Sequence, residues 1–236
     1  MAPISVSTSF AGRTLTLETG RLATQASGAV LATYGETVVL ATAVVATEER
    51  EGIDYFPLLV DYEEKFYAAG KISGSRFIKR EGRPSEAAIL NARLIDRPIR
   101  PLFPKDWRKD IQVIITVLSI DKENDPALVG MIAASAALSI SGAPFEGPIA
   151  AVRVGYLDGA FVFNPSDEQL QTSQLDLVVA GTSDKVLMLE AGAHEFEDRR
   201  MIEAIAAGHQ ALQEAIDLQA QLIKAVPAAQ LTRPAV

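Results

Sequence analysis

GKISGSRFIKREGRPSEAAILNARLIDRPIRPLFPKDWR, Gly70 to Arg108, is the stretch in which charge, glycine, proline and helical spacing all carry information. The window from Lys65 to Lys109 holds 12 of the 22 Lys and Arg residues against only Glu81, Glu86, Asp96 and Asp106. That is a local charge of +8 in a chain whose net charge is −8. Such a segment attracts phosphate, nucleic acid or another polyanion while the remaining acidic surface stays soluble. Gly70, Gly74 and Gly82 bracket a loop that contains Phe77 and Ile78, followed by Lys79, Arg80 and Arg83. An aromatic ring beside cations suits a single-strand binder, with the ring on a base and the cations on phosphates. The same residues also suit a core-facing Phe77 beneath a solvated charged surface.

Working outward, Pro84 fits the first turn of a helix and Ser85 or Glu86 its amino end. The helix is expected to stop near Ile95 or Asp96, because Pro98 disfavours helical geometry at Arg97. Ala88, Ala92 and Ile95 mark one face, and Arg93 and Arg97, spaced i, i+4, mark another. Arg100 stands between two prolines and is expected on stiff, extended backbone. The three guanidiniums either grip phosphates in bidentate fashion or pair internally with Asp96, Glu86 or Asp106.

On the amino-terminal side, Arg13 to Ala46 reads as a meander of short alternating strands with turns at Gly20, Ser27-Gly28 and Tyr34-Gly35, and Phe56 to Tyr62 reads as a further strand. On the other side, Ile111 to Ile120 has the β-branched run of a strand buried on both faces. Asp125-Pro126 opens a helix over Ala127 to Ile140 that is small and apolar nearly all round, hence central and buried. Ile149 to Tyr156 and Ala160 to Asn164 form a hairpin about Asp158-Gly159, and Leu175 to Ala180 pairs with Val186 to Ala191. From Glu197 to Val226 the period changes to that of an amphipathic helix or helix pair, with a break expected near Gly208-His209. The last ten residues, PAAQLTRPAV, read as a linker whose continuation is missing.

At 236 residues and 48% apolar content the chain can bury a full core. The absence of cysteine excludes disulfides and thiolate metal sites and permits a reducing compartment. Two histidines, His194 and His209, lack a carboxylate or second histidine at ligand spacing and read as surface or packing residues. MAPISVSTSF lacks the pattern of a signal peptide, and Ala127 to Ser141 is too short to span a bilayer, so a cytoplasmic location without membrane contact is expected.

The stretch FIKREGRPSEAAILNARLIDRPIRPLFP, Phe77 to Pro104, resembles the first core of the polynucleotide phosphorylase family, phosphorolytic exoribonucleases of the ribonuclease PH superfamily. The likeness continues in FPLLVDYEEKFYAAGKI (Phe56 to Ile72), ISGAPFEGPIAAVRVGY (Ile140 to Tyr156) and LDLVVAGTSDKVLMLEAGA (Leu175 to Ala193), covering essentially Thr14 to Ala225. It implies an α+β fold: a ribonuclease PH core of the ribosomal protein S5 domain 2-like type, mixed sheets packed with helices, over residues 1–195. Residues 196–236 are then the truncated start of an α-helical linker domain.

The implied reaction is 3′-5′ phosphorolysis of single-stranded RNA by inorganic phosphate, releasing nucleoside diphosphates and reversible as template-free polymerisation, with Mg2+ as cofactor. In the family's active second core a serine-rich loop opens the central helix, and two aspartates and a lysine follow. Here the loop is Lys122-Glu123-Asn124-Asp125-Pro126, and the matching positions are Leu170, Asp176 and Val178. Asp176 alone cannot replace the trio and reads better as a salt-bridged residue, so this core is expected to be silent and to bind no metal. The resemblance assigns RNA contact in the ring's central channel to Phe77, Lys79 and Arg80; Arg76 precedes them and Arg83 follows as further candidates for phosphate, and Arg93, Arg97 and Arg100 match family positions too. Ile78 departs from the family's commoner second aromatic. The implied partners are RNA, phosphate, a second catalytic core beyond residue 236 and a homotrimeric ring. The alternative is a non-catalytic, RNA-binding, ring-forming subunit like the inactive ribonuclease PH-like subunits of exosome-type rings.

Overall fold

The computed structural model describes residues 3–72 and 82–227. Its first strands are β1 (Ile4–Phe10), β2 (Arg13–Thr19), β3 (Gly28–Tyr34) and β4 (Thr37–Glu49), an antiparallel meander. The hairpin joining β1 to β2 turns on Ala11 and Gly12, both with positive φ, as a tight two-residue hairpin requires. Next come β5 (Leu58–Glu64), α1 (Glu86–Ile99) and β6 (Lys109–Ser119). β5 runs parallel to β6 while β6 is antiparallel to β4, so the sheet has the order β1-β2-β3-β4-β6-β5. Parallel neighbours need a crossover, and α1 lies in that connection, packed on β5.

Helix α2 (Pro126–Ile140) follows, and then a second, antiparallel sheet in the order β10-β9-β7-β8. Its strands are β7 (Ala150–Leu157), β8 (Ala160–Phe163), β9 (Leu175–Gly181) and β10 (Val186–Ala193), with a short α3 (Asp167–Thr172) between β8 and β9. α2 touches β3, β4 and β6 of the first sheet and β7 of the second. All its residues except Pro126 and Ser139 are buried. Its small side chains let both sheets approach. A Cβ at Gly130 would stand 2.8 Å from Ile115 Cγ2, and one at Gly28 on β3 would overlap the Ala137 carbonyl oxygen. The buried Ser135 hydroxyl accepts a bond from Ile149 N–H at 2.8 Å, tying α2 to the start of the second sheet.

Several boundaries differ from expectation. β1 lies ahead of the expected meander and forms its outer edge. α1 runs on to Ile99 with Pro98 inside its last turn, because Ile95, Pro98 and Ile99 are all buried and their packing outweighs one missing N–H. Arg100 is therefore helical (φ −55°, ψ −42°), not extended, and its N–H bonds to Asp96 O. β6 is buried on one face only: Ile111, Val113, Ile115 and Val117 face the core while Gln112 is exposed. The final helices are α4 (Asp198–Ala211) and α5 (Gln213–Ala225), which break at Leu212. Gly208 lies inside α4, where a Cβ would come within 2.8 Å of Val179 and 2.9 Å of Val154. α4 packs on β7 and β9 and α5 on β1, β2 and α2, so both share the core of the two sheets.

The contact between β3 and the α2 backbone has little room to give. Gly28→Ala is expected to cost about 1–3 kcal/mol by overpacking. Thermal denaturation checks this, and an unchanged melting temperature would show that α2 can move away from β3.

Candidate functional site

The basic stretch is positioned by α1. Ser85 caps it, accepting from Ala88 N–H at 3.0 Å, and its hydroxyl donates to Glu64 Oε2 at 3.2 Å. Arg93 and Arg97 lie on the exposed side of the helix. Arg97 makes a solvent-exposed pair with Glu190 on β10 at 3.3 Å, and Arg93 has no carboxylate partner among the described residues. Arg100 turns back on the fold. Its Nε and Nη2 donate to Asp96 Oδ2 at 3.2 and 2.7 Å, its Nη groups reach the Phe56 and Leu58 carbonyls, and its guanidinium lies over the Phe56 ring. Arg83 is exposed on the wall of a cleft between β5 and the start of α1. Arg76, Phe77, Lys79 and Arg80 lie outside the described residues.

The second constellation stands at the amino end of α2. Asp125 caps this helix, its Oδ1 accepting from Ala127 N–H at 2.8 Å. Its Oδ2 accepts from Arg153 Nη1 of β7 at 3.0 Å. The rest of that guanidinium is taken by Asp176 of β9 in a bidentate pair, Nε to Oδ1 at 2.6 Å and Nη2 to Oδ2 at 2.8 Å. Hydrogen bonding to Asp176 pushes the Arg153 pKa up. Burial pushes the Asp125 carboxyl up, against the Ala127 N–H and the Arg153 charge, which pull it down. Leu170 lies on α3, and Val178 is buried on β9.

Around this triad the remaining polar groups satisfy one another. Asn164 Oδ1 accepts from Arg153 N–H, and Asn164 Nδ2 donates to the Tyr34 hydroxyl, which donates to Phe10 O. Arg13 donates to Asn124 Oδ1 at 2.9 Å, and Asn124 donates to Asp121 Oδ2 at 2.6 Å. Asp121 also accepts from Glu36, Glu123 and Asn124 N–H groups and from the Thr37 hydroxyl. Partial burial would raise its pKa, but these donors outweigh burial and hold it at about 2. The cavity left beside Tyr34, Asp125, Arg153 and Asn164 is about 10 Å³, no more than one water needs. Arg153, Asn164, Asp121 and Arg13 were absent from the sequence-based candidates. The available signal was Arg153 itself, a lone charge inside the apolar strand AAVRVGYL.

Comparison with known proteins bears on this arrangement. The model of the 3′ exoribonuclease family, domain 1, matches residues 11–144, more than half of the chain, and that of domain 2 matches residues 147–211. The chain belongs to the 3′ exoribonuclease family. It is 60% identical over 220 residues to the polyribonucleotide nucleotidyltransferase of Roseiflexus castenholzii, a match covering 93% of this chain and 29% of that one. It is also 60% identical over 214 residues to the enzyme of the same name from Heliobacterium modesticaldum, covering 91% and 30%. The chain thus spans less than a third of the length of these relatives. Rice (Oryza sativa) Rrp46 superimposes with a TM-score of 0.71 at 15% identity, over 89% of this chain and 94% of that one, a likeness of fold. The family's ribonuclease PH fold, mixed sheets with packed helices, is the one described above, and the resemblance seen in Phe77 to Pro104 is that of the family.

Asp121 generates a pH dependence of defined sign. Its folded pKa of about 2 lies below the ordinary 3.8, so its stabilisation is complete above 3.8 and is lost as pH falls toward 2. Acid titration followed by circular dichroism is expected to show an unfolding limb between those values that shrinks in Asp121→Asn.

Proposed function

We propose that this chain is the first, catalytically silent core of a polynucleotide phosphorylase-type enzyme. In this reading it holds single-stranded RNA and builds a homotrimeric ring, while a second core beyond residue 236 performs phosphorolysis. There, a phosphate oxygen attacks the phosphorus of the 3′-terminal phosphodiester, the 3′ oxygen of the shortened RNA leaves and takes a proton, and a nucleoside diphosphate is released. Residues 196–236 are read as the beginning of the helical segment leading to that second core, and the location as cytoplasmic. Among the described residues no helix is long and apolar enough to cross a membrane.

The observation that carries the reading is the Asp125–Arg153–Asp176 triad. Phosphoryl transfer needs free donors and cations where negative charge develops. At the amino end of α2 the Ala127 N–H is taken by Asp125, the Arg153 guanidinium is matched by two carboxylates, and the neighbouring Arg13 donates to Asn124 Oδ1. Val178 occupies the position at which the resemblance expects the catalytic lysine, and a buried valine offers neither charge nor donor. Magnesium does not fit these residues either. Asp176 spends both oxygens on Arg153, Asp125 spends one on Arg153 and one on the Ala127 N–H, and the described residues contain no cluster of three or more acidic or histidine side chains placed to hold a metal. Magnesium therefore belongs, in this proposal, to the second core. RNA binding is supported by the exposed Arg83 and Arg93 and by the charge of the stretch containing Arg76, Phe77, Lys79 and Arg80.

The test is release of nucleoside diphosphate from short poly(A) by this chain alone, with phosphate and magnesium, alongside RNA binding at several salt concentrations. No release above blank is expected, together with salt-sensitive binding. Lys79→Ala combined with Arg80→Ala should lower the log–log salt slope by about 0.7 for each phosphate that is no longer neutralised. Phosphate-dependent release by the chain alone would overturn the silent-core reading, and an unchanged slope would remove Lys79 and Arg80 from the RNA site.

A further inference from the structure

Aromatic residues and cations also stand together earlier in the chain, ahead of Phe77. After β5 the chain makes a single 3-10 turn over Phe66–Ala69. Its backbone is tied on each side: Ala68 is buried and its carbonyl accepts from Ile120 N–H at the end of β6, while Lys71 N–H bonds to Phe66 O. Gly70, with φ of 67°, closes the turn and donates to Tyr67 O. Yet the two large side chains carried by this anchored turn are 49% and 58% exposed, Phe66 and Tyr67 respectively. The half-exposed Phe66 ring, on a backbone held by the core, offers a preorganised apolar surface, and Tyr67 follows it in the chain.

Phe66 lines a cleft of about 650 Å³ whose walls include Lys65, Lys71 and Arg83. That volume falls within the range of ligand sites. Two carboxylates also face it: Glu63 is matched by Lys65 at 2.9 Å, while Glu64 accepts the Ser85 hydroxyl and keeps its charge. Lys71 and Arg83 remain as cations on the walls that the ring shares. Rings for the base faces and cations for the backbone phosphates are what sequence-tolerant binding of a single strand requires.

We propose that the Phe66–Tyr67 turn is a base-stacking platform for single-stranded RNA, with Lys71 and Arg83 meeting the phosphates. The proposal rests on the RNA-binding reading above and adds to it residues other than Phe77, Lys79 and Arg80. Stacking contributes affinity without neutralising phosphate, so the two kinds of residue have different signatures.

The experiment is fluorescence anisotropy of a labelled short oligo(A) with the full chain across a salt series. Phe66→Leu and Tyr67→Leu keep an apolar side chain but lose the ring, and each is expected to weaken binding about five- to 150-fold with an unchanged salt slope. Tyr67→Phe should bind like the parent chain. Lys71→Ala and Arg83→Ala should each lower the slope by about 0.7. Absence of salt-sensitive binding by the parent chain would remove the RNA reading and the platform with it. Parent-like affinity in both leucine variants, while the parent chain binds, would overturn the platform alone. A change in sedimentation of those variants at constant RNA affinity would do the same, by marking the turn as a protein interface.

Discussion

Helix α2 has no stripe that faces water: apart from Pro126 and Ser139, its residues are covered by a sheet on each side or by α1 and α5. A helix of this kind has little freedom to slide, since every turn meets side chains from two directions. The cost is a demand for small residues. Gly130 and the run of alanines on the helix, together with Gly28 on β3, set how closely the six-stranded sheet approaches. Polar groups are admitted only where a partner is fixed, as with Ser135 and Ile149 N–H.

That burial leaves the amino end of α2 as the place where the core meets polar chemistry. Helix amino ends attract anions, and here the anion is supplied by the chain itself as Asp125. Arg153 then balances two carboxylates on three elements, linking the helix cap to β7 and β9. With side chains 24–41% exposed, this is a structural junction of moderate strength, not a dry ion pair. α1 shows the opposite arrangement. Arg100 is committed to Asp96 and two carbonyls, whereas Arg93 on the same helix points to solvent. One short basic sequence thus contains both bracing and available guanidiniums.

Much of this was legible in the residues. Alternation located β2 to β4, Asp158-Gly159 marked the β7–β8 hairpin, and Asp125-Pro126 marked the start of α2. Other features depended on tertiary packing. β1 is rich in serine and threonine, and it is held by a hairpin turn at Ala11-Gly12 and by α5, a helix distant in sequence. The end of α1 was placed early because the local penalty of Pro98 yields to burial of Ile95 and Ile99. The partner of Asp176 could not be read because it depends on register. Gly155, not Arg153, stands opposite Asp176, and the guanidinium reaches it diagonally.

The packing of α5 against β1 also sets an order of events during synthesis. The strand ending at Phe10 precedes the other described elements along the chain, but the helix that covers it begins only at Gln213. At about 5–20 residues per second, the ribosome needs on the order of 10–40 s to deliver that cover. During this interval β1 can pair with β2 through their shared turn, yet the flank bearing Ile4 and Val6 has no α5 to shield it. Until α5 has been made, a nascent chain of this kind carries an outer strand without its helical cover.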